Sequence, residues 1–173
     1  VVRGSDQGLD TEHGATIMNF SRGDETTQAR LSYIEVYNAG QAASLGRYAI
    51  NFHLIGTVHK SYVRGCSIHH TFNRAVTIHG VYYLKVQDNV TYNTKGHTIF
   101  IEDAIETKNL IENNLIISVR RSWSLLNTDT TPAGIWITNP DNFFRNNHVA
   151  GGDAYGFWFD LQDHPTGPSY TDT

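Results

Sequence analysis

The chain has 173 residues, enough for one domain, and a formal net charge of −4 at pH 7. Its 13 Lys and Arg residues are scattered, so we expect no binding to nucleic acid and no contact with an anionic membrane surface. No stretch of about 18 consecutive apolar residues could span a bilayer. Charged residues make up 17%, and abundant Asn, Thr and Gly favour β-structure with tight turns over helices.

After an irregular start, the main feature along the chain is a repeat. Residues 63–79 align without a gap to residues 86–102, an offset of 23 residues. A triplet of the form apolar-x-apolar recurs at spacings of 26, 23, 36 and 22 residues, at 50–52, 76–78, 99–101, 135–137 and 157–159. Short apolar segments fall between the triplets. A period in the low twenties with two or three short strands per turn predicts an all-β fold, a right-handed single-stranded parallel β-helix of about six to seven coils.

The predicted β-helix domain, residues 1–173, divides into four parts. Residues 1–30 are expected to form an irregular first coil, 31–119 regular coils, and 134–173 the last, truncated coils. The 36-residue spacing implies an insertion, which we place as a loop at 120–133. Neither end carries a capping pattern, so we expect a fragment of a larger protein. It would contact other domains of the parent chain, or self-assemble through its coil ends.

A column of turn residues follows the second series of strands: Cys66, Asn89, Asn114 and Asn147. Asn tolerates the left-handed backbone of a coil corner, and stacked amides can hydrogen-bond from coil to coil, so we interpret the column as structural. Sequons at Asn19 and Asn89 predict glycosylation if the chain is secreted. The structural role expected for Asn89 argues against its modification.

The middle residue of each triplet should point outward, and the first and third inward. Coils stack roughly 4.8 Å apart, so equivalent residues become vertical neighbours. Phe100, Trp136 and Trp158 then form an outward aromatic strip beside a column of small residues, a shape suited to carbohydrate binding by stacking. The alternative is that the inserted loop, or another domain, covers these rings.

The next outward column places His53, His79 and Glu102 on three consecutive coils. Two imidazoles and a carboxylate can bind a divalent metal, or can divide acid and base roles at a glycosidic bond. In the catalytic hypothesis Glu102 is the acid or base, and the histidines are ligands or charge stabilisers. The alternative is that all three are polar residues that hydrogen-bond to the adjacent coil. The sequence indicates no other cofactor.

Several strings resemble a known family. Residues 46–53 (GRYAINFH) and 63–75 (VRGCSIHHTFNRA) resemble the β-helix region shared by fibrocystin, fibrocystin-L and the hyaluronan-degrading cell-migration-inducing proteins. Residues 124–132 (SLLNTDTTP) and 164–169 (HPTGPS) are most similar to the fibrocystin-L branch. Ala49 departs from the family pattern, which usually has Pro there.

The resemblance implies a segment of a large secreted or single-pass protein, placed outside the cell or at its surface, with ciliary coats as one setting. For the fibrocystin-L branch it implies no assigned reaction, so we expect a structural or adhesive role with glycans among the partners. The hyaluronan-degrading branch implies the alternative, a polysaccharide-cleaving enzyme. The sequence leaves the choice between them open.

Overall fold

The computed structural model describes residues 1–21, 26–124 and 126–171. These residues form short strands joined by turns, with three short 3-10 turns at Asp6–Gly8, Asn127–Thr130 and Gly167–Thr171. The strands, in chain order, are β1 (Val2–Arg3), β2 (Ile17–Phe20), β3 (Arg30–Ser32), β4 (Glu35–Tyr37), β5 (Ile50–Thr57), β6 (Tyr62–Arg64), β7 (Ser67–Thr71), β8 (Val76–Tyr82), β9 (Lys85–Gln87), β10 (Val90–Lys95), β11 (Ile99–Ile101), β12 (Leu110–Glu112), β13 (Leu115–Arg120), β14 (Ala133–Ile137), β15 (Phe143–Arg145), β16 (His148–Gly152) and β17 (Tyr155–Phe159).

The strands pair into three parallel sheets, and the chain visits the sheets in turn. The first sheet has the order β1-β4-β7-β10-β13-β16, the second β2-β5-β8-β11-β14-β17, and the third β3-β6-β9-β12-β15. Because each strand pairs with the strand three places further along the chain, every circuit adds one rung to a parallel β-helix. The predicted fold class is confirmed, and the six strands of the larger sheets agree with the predicted number of coils.

The second sheet, called here the triplet sheet, carries the residues on which the functional hypotheses depend. Its strands pair in the predicted register, with Ile99 aligned to Val76 on one side and to Ile135 on the other. The first and third triplet residues of β5, β8, β11 and β14 belong to one buried apolar core. The inward direction predicted for them is therefore confirmed. The equivalent residues of β17, Phe157 and Phe159, are exposed.

The predicted amide column is present at one corner of the coils. Asn89 Nδ2 donates to Asn114 Oδ1 at 2.9 Å, and Asn114 Nδ2 donates to Asn147 Oδ1, also at 2.9 Å. Each of these two amides also donates to a backbone carbonyl of the preceding coil. The left-handed backbone lies one residue earlier than predicted, at Asp88 and Asn113, where φ is 58° and 56°. The column thus links coils, and the preceding residue makes the turn.

Between the end of β13 at Arg120 and the start of β14 at Ala133 lies the segment where the insertion is predicted. Leu125, inside this insertion, lies outside the described residues. The expected irregular first coil nevertheless contributes β1 and β2 to the sheets, and its residues 22–25 also lie outside the described ranges. No helix in the described part of the chain is both long and apolar enough to cross a membrane.

Candidate functional site

The aromatic column has the predicted register but not the predicted exposure. Phe100 pairs with Trp136, and Trp136 with Trp158, so the three rings are vertical neighbours. Phe100 is 4% exposed and Trp136 is 6% exposed, whereas Trp158 is 37% exposed. The expectation of an open strip is wrong for Phe100 and Trp136. Trp158 is the ring of this column that solvent reaches.

Two side chains cover the buried rings. The guanidinium carbon of Arg74 lies 3.7 Å from the centroid of the Phe100 ring. The imidazole of His97 stacks on Phe100 with an interplanar angle of 7°, and its centroid is 4.1 Å from that of Trp136. A cation over an aromatic face and stacked rings are both favourable contacts. The face that would accept a sugar is therefore occupied by the protein's own side chains.

The inserted loop holds this cover in place through Asp129. Arg74 donates to both carboxylate oxygens, from Nη2 at 2.8 Å and from Nε at 3.3 Å, and both side chains are fully buried. Burial lowers the pKa of Arg74, but the charge and hydrogen bond of Asp129, together with Tyr48 and Glu102, outweigh this, so the pKa is raised. At Gly96 (φ +76°) a Cβ would lie 2.6 Å from Asp129 Oδ1, so the carboxylate needs a glycine there. The rings are therefore covered, as in the alternative stated above, but by Arg74 and His97, with the loop residue Asp129 paired to Arg74.

His97 is held neutral inside this cover. Its Nδ1 accepts a hydrogen bond from the Ala133 N–H at 3.1 Å, and its Nε2 lies 3.6 Å from Asp129 Oδ1. Burial lowers the pKa of His97 to about 3. The imidazole is therefore uncharged at neutral pH, and its role here is packing.

The predicted histidine and carboxylate column is partly assembled. His79 Nδ1 lies 3.4 Å from Glu102 Oε2, and His79 Nε2 lies 2.9 Å from Asp103 Oδ2. Among the described residues, these are the three that bring potential ligand atoms within 4.8 Å of one another. The ring of His53 contacts that of His79 edge-on at 4.5 Å, but His53 lies outside the set. The third residue of the set is therefore Asp103 and not the predicted His53.

Residues far along the chain fix Asp103. Ser169 Oγ donates to Asp103 Oδ2 at 2.8 Å, and the Thr166 N–H donates to the Asp103 carbonyl at 2.9 Å. Gly167 adopts φ +58°, and a Cβ there would lie 2.6 Å from Asp103 Oδ1. The 3-10 turn Gly167–Thr171 therefore packs directly against the carboxylate. Sequence reasoning missed this contact because 66 residues separate Ser169 from Asp103 and no repeat relates them.

Burial and neighbouring charges raise the pKa values of Glu102, His79 and Glu106. Burial raises the pKa of Glu102, while the charges of His79 and Arg74 oppose the rise. Burial lowers the pKa of His79, but its hydrogen bond to Asp103 and the charge of Glu102 produce a net increase. Burial raises the pKa of Glu106 to about 7, although this carboxylate accepts hydrogen bonds from the Gly80 and Asp103 N–H groups. Of these groups, Glu106 can therefore hold or release a proton near neutral pH.

Several buried polar atoms on the outer face of the triplet sheet make no hydrogen bond. Glu102 Oε2 and His53 Nδ1 are the two in the histidine and carboxylate column, and Thr77 Oγ1 lies two residues before His79 on β8. Buried polar groups are normally paired, so each of these needs an explanation. Burial, followed by the charge of His79, lowers the pKa of His53, which favours its neutral form.

The two sequons differ in their surroundings. Asn89 is 2% exposed, and its amide belongs to the column described above. Asn19 is partly exposed on β2, with its Nδ2 3.5 Å from the Asn51 carbonyl. Of the two, Asn19 is the more open to modification.

Comparison with known proteins places the chain in a family. The family model described as CEMIP beta-helix matches residues 12–173. The chain belongs to the CEMIP beta-helix family. It is 52% identical to human fibrocystin-L over 149 residues, which are 86% of the chain and 4% of that protein. It is 46% identical to mouse fibrocystin-L over 169 residues, 96% of the chain and again 4% of the relative.

A further relative has an activity in its name. Human cell surface hyaluronidase CEMIP2 is 35% identical over 175 residues, covering 83% of the chain and 12% of that protein. The resemblance to the fibrocystin-L branch is thus confirmed, together with its kinship to hyaluronidases. The chain spans 4% to 12% of the length of these three relatives.

Proposed function

We propose that this chain is a structural, adhesive segment in the extracellular part of a fibrocystin-L-like protein at the cell surface, including the ciliary surface. The observation that carries the proposal is the closed face of the triplet sheet. The fully buried Arg74–Asp129 pair holds Arg74 over the Phe100 ring, where an enzyme of this shape would need an open groove. The amide column and the continuous core join successive coils into one stiff unit.

Glycan contact in this proposal falls to Trp158 on β17, the partly exposed member of the aromatic column. Trp158 and Tyr155 lie with ring centroids 4.5 Å apart and are both partly exposed, beside the exposed Phe157 and Phe159. Exposed aromatic rings in contact, such as Trp158 and Tyr155, are characteristic of an interaction site. Such rings suit the apolar faces of sugars, so Trp158 is the member of the predicted strip that we retain as a carbohydrate contact.

A cleavage and binding assay tests the proposal. The purified segment is incubated with hyaluronan of defined chain length, and we expect no shortening. Binding to immobilised hyaluronan is then compared for Trp158→Ala and for the control Trp123→Ala, since Trp123 is 80% exposed but lies in the inserted loop. Weaker binding by Trp158→Ala alone supports the glycan contact, and equal loss in both variants contradicts it. Shortening of hyaluronan that depends on Glu102 overturns the structural role in favour of the next candidate.

The second candidate function is polysaccharide cleavage. The specific observation in its favour is the convergence of His79 and Glu102, 3.4 Å apart, with Asp103 hydrogen-bonded behind the imidazole. Glu102 would serve as the general acid, since burial raises the pKa of its carboxyl, and His79 would stabilise charge. Glu102→Gln should abolish cleavage, while Glu112→Gln, which removes a carboxylate paired with Arg145 on the third sheet, should leave it unchanged.

A further inference from the structure

The outer face of the third sheet gathers cations that the sequence scatters. Arg30 and Lys85 lie in one outward column of β3, β6 and β9, with Tyr62 between them. Arg64 lies in the neighbouring outward column, and Lys60 lies in the turn just before β6. The residues between the two columns point into the core. These four Lys and Arg residues are called here the cation face.

The cation face has no carboxylate to balance it in the described part of the chain. Arg30 donates to the neutral oxygens Gln28 Oε1 and the Lys60 carbonyl, at 3.1 and 3.3 Å. Arg64 donates to Gln87 Oε1 at 2.7 Å, while its Nε is buried and makes no hydrogen bond. Other cations of the described chain are paired with carboxylates: Arg3, Arg74, Lys95, Lys108, Arg120 and Arg145.

The coil spacing places these charges close enough to act together. Neighbouring rungs are roughly 4.8 Å apart, so the backbones of Arg30 and Lys85, two rungs apart, are separated by roughly 10 Å along the axis. The Debye length at physiological ionic strength is about 8 Å, so the fields of cations on adjacent rungs overlap. The whole chain carries a formal net charge of −4, so this face is not the result of a basic composition.

Aromatic rings and a small cavity lie beside the cations. The guanidinium carbon of Arg64 is 5.3 Å from the centroid of the Tyr62 ring, and the ring of Tyr83, 40% exposed, contacts that of His59 at 4.2 Å. The cavity has a volume of about 190 Å³ and is lined by Gln28, Thr57, Val58, His59 and Lys60. Sites for separate small molecules usually measure about 300–1,000 Å³. The face is therefore better suited to one unit of a long chain.

From this arrangement we infer that the cation face binds a sulfated linear polysaccharide, whose sulfate groups contact its Lys and Arg side chains. Guanidinium groups bind planar and tetrahedral oxyanions through paired, charge-assisted hydrogen bonds. Hyaluronan carries carboxylates but no sulfate, so a sulfated chain presents more charge to the four cations. The choice of a glycan over a nucleic acid rests on the extracellular placement proposed above. The residues and the sheet are different from those of the Trp158 contact.

The test measures binding of the purified segment to immobilised heparin by surface plasmon resonance at several NaCl concentrations. Arg30→Gln and Lys85→Gln should each weaken binding about fivefold, and each should lower the dependence of log Kd on log [NaCl] by about one. The matched control is Arg47→Gln, since Arg47 is also exposed and also lacks a carboxylate partner among the described residues, but lies between β4 and β5. It should leave binding unchanged. All three positions are exposed, so thermal midpoints should agree within about 2 °C.

The competitors decide what the face recognises. Heparin should bind more tightly than hyaluronan or chemically desulfated heparin of the same chain length. Equal binding of desulfated heparin, equal binding of double-stranded DNA at the same salt concentration, or equal weakening by Arg47→Gln would each overturn the inference. Trp158→Ala should keep full heparin binding, so failure of the cation face and failure of the proposed glycan contact are separate results.

Discussion

The buried pair between Arg74 and Asp129 gives the sharpest prediction about this fold. Asp129→Asn keeps the size of the side chain but removes the charge that balances a fully buried guanidinium. Loss of one partner from a buried ion pair typically costs about 3–5 kcal/mol, because the other charge stays uncompensated. For a chain of this length each kcal/mol lowers the thermal midpoint by about 2–4 °C, so we expect a decrease of about 10 °C.

The assay is urea and thermal unfolding at neutral pH, followed by tryptophan fluorescence, because Trp136 lies under the same cover. Asp141→Asn is the matched control. It breaks the exposed pair of Lys108 and Asp141, whose side chains are 42% and 51% exposed, and should cost less than about 1 kcal/mol. The double variant Arg74→Met with Asp129→Leu should recover much of the loss, since no buried charge then remains unpaired. Equal effects of Asp129→Asn and Asp141→Asn would refute the reasoning.

Four further predictions concern stability, pH and modification. Cys66→Asn should raise the free energy of unfolding by about 1 kcal/mol in urea titrations, because Cys66 Sγ already points at the Leu31 carbonyl (3.8 Å) where an amide of the column would donate. The pKa of His97 is about 3 in the folded state, below its unfolded value of 6.5. The neutral imidazole therefore contributes about 5 kcal/mol to the free energy of unfolding above pH 6.5, and this contribution is lost as the pH falls towards 3. In His97→Gln the free energy of unfolding should decrease less over this range of pH. The pKa of Glu106 is shifted in the opposite direction, to about 7 in the folded state. The protonated carboxyl therefore contributes about 3 kcal/mol to the free energy of unfolding below pH 4.5, and this contribution is lost as the pH rises to 7. Between pH 4.5 and 7 the free energy of unfolding of Glu106→Gln should therefore rise relative to that of the wild type. After secretion from mammalian cells, mass spectrometry should find Asn89 unmodified, because its amide is buried in the column; a glycan at Asn89 would contradict this.

The repeat alone was enough to predict the fold and the vertical neighbours. Spacings of 23 and 36 residues place Thr77, Phe100 and Trp136 in one column, and the strands pair in that register. The reason is that equivalent positions of a solenoid meet by translation along its axis, so periodicity in the sequence becomes contact in space. A second amide pair, Asn109 and Asn142, was missed, although it has the same 33-residue spacing as the predicted pair Asn114 and Asn147.

Tertiary structure alone decided which side chains are covered and which meet in the site. Asp129 reaches Arg74 across 55 residues, and Ser169 reaches Asp103 across 66. Both come from segments that have no equivalent in other coils. Where such a segment packs depends on shape and on the pairing of buried charges, which have no period in the sequence. The columns could therefore be predicted, with coverage of the aromatic rings as one of two alternatives, but the Arg74–Asp129 pair that closes the aromatic face and the Ser169 contact that fixes Asp103 could not.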